Sequence, residues 1–282
     1  MSGSISYSLI GTDGSTWPFV SLAECSLSTP LRLHSTPTGL GGAEFKTDDD
    51  QNVDQAGVTW RATMFEPNYI GLHILFGPIP PGPAALAKYL AFRDALGDSR
   101  QLGEFHVEGP RRTTVQRWRL APPNLSEPDV DAVQYLGFSE DKGVRLRSDE
   151  SWWRTAPIEL TFSAAQFATA EIDNDSDDDT WPYYELTGPI TTPKLGLGTE
   201  EITLPNIAAG QTWKIDTDPN FFHITDHLGV DRSFYGGVSL PGRWYVKAPA
   251  HTPNIPVKIS GTGTTGATSL KVVLPQLFRA AV

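Results

Sequence analysis

Short apolar stretches separated by turn residues run along most of this chain. Tyr7–Ile10 leads through Gly11–Ser15 into Trp17–Val20, which predicts a strand, a turn and a second strand. Val58–Phe65 alternates apolar and polar positions, as a half-buried strand does. Residues 35–57 have no periodic apolar face, so they predict a long loop or a weakly paired arm.

One segment has the pattern of a helix of useful length, Ala84–Leu96. Pro83 suits a helix start, and Gly97 sits where a left-handed C-terminal cap is expected. Val130–Leu136 fits a shorter helix. The apolar residues that fall broadly on one face of the longer helix are Leu86, Tyr89, Leu90 and Leu96.

Further strands are predicted on both sides of an acidic run. Phe105–Leu120 indicates a strand pair with a turn at Gly109-Pro110, and Trp152-Trp153 opens a strand that continues through Ile158–Phe162. Residues 173–179 contain five Asp, which repel one another, so a linker is expected there. Beyond it the predicted strands are Glu201–Leu204, Thr212–Asp216, Trp244–Lys247, Ile255–Ser260 and Ser269–Leu274.

Composition supports an all-β chain of two domains. The 282 residues include 26 Gly and 23 Pro, spread as punctuation between apolar stretches, and 39% are hydrophobic, which is too many for disorder. The length suits two domains of ordinary size. We therefore predict an N-terminal β-rich domain over 1–172 with one helix, and a C-terminal β-sandwich over 173–282.

The net charge, the first residues and the lengths of the apolar runs limit the classes of partner that we expect. The net charge of −11 argues against a chain whose main partner is the phosphate backbone of a nucleic acid. The first residues, MSGSISYSLIGTDG, lack the basic and apolar regions of a signal peptide. No apolar run approaches the ~18 residues that a membrane span needs.

Two groups of residues are candidate metal ligands. Asp173, Asp175 and Asp177 have the first spacings of an EF-hand loop, but Asp178 stands where Gly is required and Tyr184 where Glu is required. His223 and His227 are four residues apart, yet the residues around them indicate a strand and a turn, which would separate the rings. A solvated linker and structural histidines are the favoured interpretations.

Enzymatic motifs are not found. The sequence contains no Gly-x-Ser-x-Gly elbow, no phosphate-binding P-loop and no Cys-x-x-Cys. Cys25 is the sole cysteine, and nothing in the pattern pairs it with one of the six His. A pair of glycosidase carboxylates has no fixed sequence spacing, so a glycan-cleaving activity stays open as an alternative. No catalytic, cofactor-binding or metal-binding residue is assigned.

Arginine and tryptophan residues are the candidates for binding surfaces. A locally basic stretch indicates charge complementarity between copies of an otherwise acidic chain, rather than nucleic-acid binding. Adjacent Trp152 and Trp153 point to opposite faces of a strand, and one of those faces is expected to meet a partner or another domain. The basic stretch consists of Arg100, Arg111, Arg112, Arg117 and Arg119.

The order of these elements resembles that of the distal tail proteins, minor tail proteins at the tip of long non-contractile phage tails. The first half matches more loosely, through the Asp13-Gly14 turn, Gly39–Gly42 and the helix that leads to Leu96-Gly97. Residues 173–179 and the segment between Phe105 and Trp153 depart from the plainest members. The second half carries most of the likeness, in Gly188–Ile190, Ile202–Pro205, Gly210–Thr217, Leu240–Tyr245 and Ser269–Pro275.

The resemblance implies a structural virion protein with no enzymatic activity and no cofactor. Its N-terminal, split-barrel-like belt domain would close into a hexameric ring that continues the tail tube, and its C-terminal domain would be galectin-like. The implied partners are the major tail tube protein, the tape measure protein, and tail-tip hub or receptor-binding proteins. The alternative is a carbohydrate-binding module, with Trp181 or Trp244 as its stacking platform, or a glycan-cleaving tail-tip protein.

Overall fold

The computed structural model describes residues 5–122, 125–233 and 244–282, which form two compact units. The first unit comprises Met1–Arg154 and Arg279–Val282, and the second comprises Thr155–Phe278. The division at 154/155 lies earlier in the chain than the expected domain boundary at 172/173. The reason is that the segment from 155 onward contributes strands to the second unit rather than closing the first.

The first unit is built around a closed seven-stranded barrel. Its strand order is β8-β7-β1-β2-β3-β6-β9, and β9 closes the circle by pairing with β8. The strands of this unit, including β4 and β5 outside the barrel, are β1 Ser6–Ile10, β2 Thr16–Phe19, β3 Leu31–Leu33, β4 Phe45–Asp50, β5 Thr59–Phe65, β6 Asn68–Phe76, β7 Gly103–Glu108, β8 Thr113–Leu120 and β9 Ser139–Ser148.

Strict alternation explains why the barrel strands form. Along β6, every second residue from Asn68 to Phe76 is buried, and Ile70, Leu72 and Ile74 fill the interior. The predicted hairpin of β1 and β2 and the predicted strand pair β7–β8 are present. Sequence analysis did not predict β6 or β9, although β6 carries one of the longest alternating patterns in the chain.

Among its described residues, the first unit has two α-helices, α1 Pro83–Ala95 and α2 Val130–Leu136. Pro83 opens α1, and Gly97 follows it with φ of 59°, as expected for a left-handed position after a helix. The buried face of α1 differs from the predicted one, because Leu90 is 39% exposed. The buried residues of α1 are Ala85, Tyr89, Phe92 and Ala95.

The second unit consists of two antiparallel sheets around one core. One sheet has the order β16-β15-β12-β18-β10, and the other has the order β11-β17-β13-β14. A 3-10 segment, Ala164–Thr169, follows β10. The strands are β10 Trp153–Ser163, β11 Glu171–Asn174, β12 Tyr183–Thr187, β13 Thr191–Leu197, β14 Ile202–Thr203, β15 Thr212–Asp216, β16 His223–Thr225, β17 Thr252–Thr262 and β18 Ser269–Phe278.

Apolar residues from both sheets meet in this core, among them Leu186 and Trp213 from the first sheet and Leu195 and Ile259 from the second. The prediction of an all-β chain is therefore confirmed, and the second unit is a β-sandwich. Most of the strands predicted beyond residue 179 are found. Within the described ranges, no helix has the length and apolar character that a membrane crossing requires.

Two local predictions in this unit are wrong. Residues 244–247 were expected to form a strand, but Glu200 binds the backbone N–H groups of Tyr245 and Val246 instead, at 2.8 and 3.4 Å. Residues 173–179 were expected to be a solvated linker, but they begin in β11 and continue into a folded turn. Leu240–Tyr245 is one of the segments that carry the resemblance, and its residues 240–243 lie outside the described residues.

Candidate assembly surfaces

A two-stranded ribbon in the first unit forms an arm. Within the described residues, β4 pairs only with β5. Of the two structures predicted for residues 35–57, a long loop or a weakly paired arm, the structure therefore has the paired arm. The strand predicted at Val58–Phe65 is present but is not half-buried as expected, since Trp60 is 62% and Met64 56% exposed. A two-stranded ribbon with no layer against it has little stability of its own. The arm thus carries apolar side chains that stay exposed among the residues that the structure describes.

The arm has one aromatic face. Phe45 lies opposite Phe65, and after a bulge Trp60 lies opposite Asp49. The indole Nε1 of Trp60 donates to Thr63 Oγ1 at 3.2 Å, which places Trp60 and Thr63 on the same side. Phe45 is 56% exposed on this face. We call Phe45, Trp60 and Phe65 the aromatic face of the arm.

The base of the arm is fixed to the first unit through Phe65. The Trp152 ring lies 4.9 Å from the Phe65 ring, and the Arg279 guanidinium lies 5.9 Å from it. Trp153 points the other way and is fully buried against Phe105. Trp152 lies in the bend before β10, which begins at Trp153, so the two rings have different surroundings without sharing a strand.

The outer part of the arm is strongly acidic. Residues 48–61, the acidic tip, contain Asp48, Asp49, Asp50 and Asp54 against Arg61, which gives a net charge of −3. Arg61 is ion-paired with Asp50. The carboxylates of Asp48 and Asp54 belong to exposed residues. Four acids on so small a segment repel one another unless a cation or a basic surface approaches.

Four arginines gather around two acids elsewhere in the first unit. Asp149 lies between Arg147 and Arg119, with oxygen-to-Nε distances of 2.8 and 3.4 Å. Glu150 lies between Arg154 and Arg117, at 2.9 and 3.6 Å, as ion pairs rather than aligned hydrogen bonds. We call these six residues the arginine patch: Arg117, Arg119, Arg147, Asp149, Glu150 and Arg154.

The arginine patch holds more positive than negative charge. Its four guanidinium groups and two carboxylates leave a net charge of +2 in a chain of net charge −11. Arg119 and Arg147 are direct cross-strand partners of β8 and β9. Like charges at such positions destabilise a sheet, and Asp149 offsets only part of this. The patch is thus suited to a negatively charged partner.

Only part of the predicted basic stretch joins this patch. Arg100 is held by Asp98 at 2.6 Å, and Arg111 and Arg112 lie between β7 and β8. Arg147 and Arg154, which complete the patch, were missed. The alternation of Arg with buried residues along β9 was the signal that could have indicated Arg147.

The acidic run at 173–179 accepts hydrogen bonds from its own chain. Asp173 Oδ1 accepts from the backbone N–H of Asn254 at 2.7 Å, and Asp179 Oδ1 accepts from that of Ala250 at 2.9 Å. Buried Asn174 donates to the Ala248 carbonyl at 2.8 Å. Among the residues that the structure describes, no group of three His, Cys, Asp or Glu is arranged to hold a metal ion.

The candidate histidines and the cysteine each contact different residues and do not form a common site. His223 lies in β16 and contacts the Phe221 carbonyl, whereas His227 lies in the next turn and contacts Gln211. Strand and turn therefore separate the two rings, as predicted. The Cys25 thiol contacts the Pro30 carbonyl at 3.6 Å, and burial, partly offset by the nearby Arg32 charge, raises its pKa.

The tryptophans named for sugar stacking are poorly placed for it. Trp244 is 1% exposed, and its indole Nε1 donates to the Leu195 carbonyl at 3.1 Å. Trp181 is half-buried, and the Lys247 ammonium lies 5.5 Å from its ring centre. A stacking platform requires an open aromatic face. Trp244 therefore has no role as a sugar platform in this structure.

Comparison with known proteins gives structural matches alone. No protein-family model matches the sequence, and no curated protein matches it. The Dit protein of phage SPP1, a hub protein of the adsorption apparatus of phages that infect Gram-positive bacteria, matches with a TM-score of 0.65 at 10% identity. The match covers 96% of this chain and 99% of that one. The fold is that of the SPP1 Dit protein.

Baseplate structures of phage p2 match along the same length. A chain of the activated p2 baseplate with strontium has a TM-score of 0.53 at 11% identity, over 96% of this chain and 98% of that one. The corresponding structure with calcium gives 0.50 at 9% identity, over 97% and 98%. The structural neighbours are thus phage tail hub and baseplate proteins. At these identities the likeness establishes the fold.

Proposed function

We propose that this chain is a structural protein of a phage tail, which forms a hexameric ring at the tip of a long non-contractile tail. The observation that supports this most is the match to the SPP1 Dit protein along nearly the whole of both chains. A match of one domain alone would allow unrelated functions on a shared fold. A match over both units supports a shared architecture and, with it, a shared structural role.

The exposed arm supports assembly independently of that likeness. Large apolar side chains on a two-stranded ribbon indicate a surface that a partner covers. In a ring, each copy contributes two different surfaces to its two neighbours. The arm and a separate acceptor surface on the same unit meet that requirement.

We assign ring formation to the first unit, which makes up most of the expected domain 1–172. The second unit, which contains most of the expected domain 173–282, would hold tail-tip hub or receptor-binding proteins, and its galectin-like character is part of the proposal. The ring would join the major tail tube protein and the tape measure protein in the virion. No enzymatic step belongs to this role.

The test is the mass of the purified chain in solution by light scattering, with negative-stain images of the same sample. We expect a species of about six copies, seen as a ring with a central hole. A chain that stays monomeric at every concentration, or that forms closed two-fold dimers, would contradict the ring. Specific binding in a glycan array that is lost in Trp181→Ala would favour the carbohydrate-binding alternative.

A further inference from the structure

We propose that the arginine patch of one copy binds the arm of the next copy, through the acidic tip and the aromatic face. This rests on the proposed ring and names the contact that would close it. The patch and the arm both belong to the first unit, and the ion pairs inside each leave an excess of one charge: two acids for four arginines in the patch, and one arginine for four aspartates at the tip.

Charge is the first argument. The acidic tip has a net charge of −3 and the arginine patch a net charge of +2, so each offsets the self-repulsion of the other. Arg119 and Arg147 face each other across β8 and β9 with a single carboxylate, Asp149, between them. A carboxylate from a second copy would complete the neutralisation of that pair.

Guanidinium chemistry is the second argument. Arginine binds carboxylates through a planar fork and also stacks on aromatic rings, which lysine does much less well. The arm presents both kinds of group together, since Asp49 lies directly opposite Trp60. Trp and Arg are also the residues that dominate binding energy at protein interfaces. A patch of four arginines therefore fits this arm better than it fits a purely acidic segment.

Geometry is the third argument. The six residues of β4 extend the arm by about 20 Å from its base at Phe45, at the usual rise per strand residue. Because arm and patch are different surfaces, one copy can donate its arm and accept another at the same time. Such head-to-tail contacts produce rings when the rotation closes.

A nucleic acid is the other class of partner that an arginine patch could bind. Two carboxylates inside the patch and the net charge of −11 oppose a phosphate backbone. The second copy is therefore the occupant to which we commit. Binding of duplex DNA is retained as an outcome of the test that would overturn it.

The experiment uses two charge variants of the full chain, measured by light scattering. The arm variant is Asp48→Lys with Asp49→Lys, and the patch variant is Arg119→Gln with Arg147→Gln. We expect each variant to lose self-association, with the mass falling about sixfold from that of the wild type. The matched controls, Asp175→Lys and Arg111→Gln, change exposed charges elsewhere and should keep the wild-type mass. Circular dichroism verifies that every variant is folded.

Mixing the two variants separates a lost contact from a damaged fold. The patch of the arm variant and the arm of the patch variant are both intact, so one contact per pair can form. We expect the mixture to give dimers and to stop there, because neither free end can continue. If both variants are folded by circular dichroism and still stay monomeric in the mixture, the proposal is contradicted.

The remaining outcomes are distinguishable. If the wild type forms rings and both variants do too, the arm–patch contact is overturned while the ring stands. If the wild type is monomeric at every concentration, the ring itself fails and the contact fails with it. If the patch variant keeps the wild-type mass but loses binding of fluorescent duplex DNA that the wild type shows, the patch is a nucleic-acid site and the proposal is wrong.

Discussion

The arm of the first unit and the core of the second unit use tryptophan in opposite ways. Trp60 on β5 is 62% exposed, whereas Trp213 on β15 is 6% exposed, although both lie on short alternating strands. A second sheet covers β15, and the arm has no such layer within the described chain. Alternation thus shows that a strand has one apolar face, but it does not show whether the same chain or a partner covers that face.

The acidic runs of the two units differ in the same manner. In the second unit, Asp173 and Asp179 accept backbone hydrogen bonds from a distant segment and so fix a turn. In the arm, Asp49 accepts from nearby Thr47 and Asp50 pairs with nearby Arg61. One run stabilises its own fold, and the other leaves its net charge for a partner.

The largest effect is expected from a matched pair of tryptophan substitutions. Trp213→Ala opens a cavity in the core of the second unit and should lower the free energy of unfolding by about 4 kcal/mol. Trp60→Ala removes an exposed side chain and should change it by less than about 0.5 kcal/mol. Urea unfolding followed by far-UV circular dichroism measures both. Equal losses for the two variants would mean that the arm is a packed part of its own chain.

A buried ion pair provides the next largest effect, now inside the first unit. Asp141 Oδ1 lies 2.8 Å from Arg93 Nη1, and the two side chains are 5% and 12% exposed. Asp141→Ala leaves the guanidinium buried and uncompensated, so we expect a loss of about 3 kcal/mol. Urea unfolding measures this loss.

The control removes both charges together. Arg93→Met with Asp141→Leu takes away the unpaired charge as well as the pair, so it should recover most of that stability. A double variant as unstable as the single one would show that shape, rather than charge, holds α1 to β9.

A smaller loss is expected in the turn at 173–179. Asn174→Ala removes the donor to the Ala248 carbonyl and the acceptor for the Ser176 backbone N–H, both buried. We expect a loss of about 1–2 kcal/mol in the free energy of unfolding. Asp175→Ala, at an exposed neighbouring position, is the control and should have almost no effect. If the two variants behave alike, the turn is as loose as a linker.

The elements that depend on short sequence patterns could be predicted from the sequence. The β1–β2 hairpin, α1 with its Gly97, and most strands of the second unit follow from patterns that act within about fifteen residues. The arginine patch depends on the register that places Arg119 opposite Arg147, and no local pattern contains that pairing. The burial of Trp244 likewise depends on a carbonyl at Leu195, far away in sequence.

The smallest predicted effect concerns the charge of Asp216, at the end of β15. Burial raises the pKa of this carboxyl, so at pH 7 the folded state holds a charge that it disfavours. Asp216→Asn keeps an acceptor for the Asp218 backbone N–H and removes the charge, so the melting temperature at pH 7 should rise slightly. Below the unfolded pKa of about 3.9 the carboxyl is protonated in both states, and the gain should vanish.

Asp13→Asn is the opposite case, because hydrogen bonds from Ser15 lower the pKa of that carboxyl. Its substitution should reduce stability at pH 7, and this loss should fade as the pH falls through the folded pKa. Melting curves at pH 7 and near pH 3.5 decide between them, and a gain for Asp216→Asn that persists in acid would show that its origin is packing rather than charge.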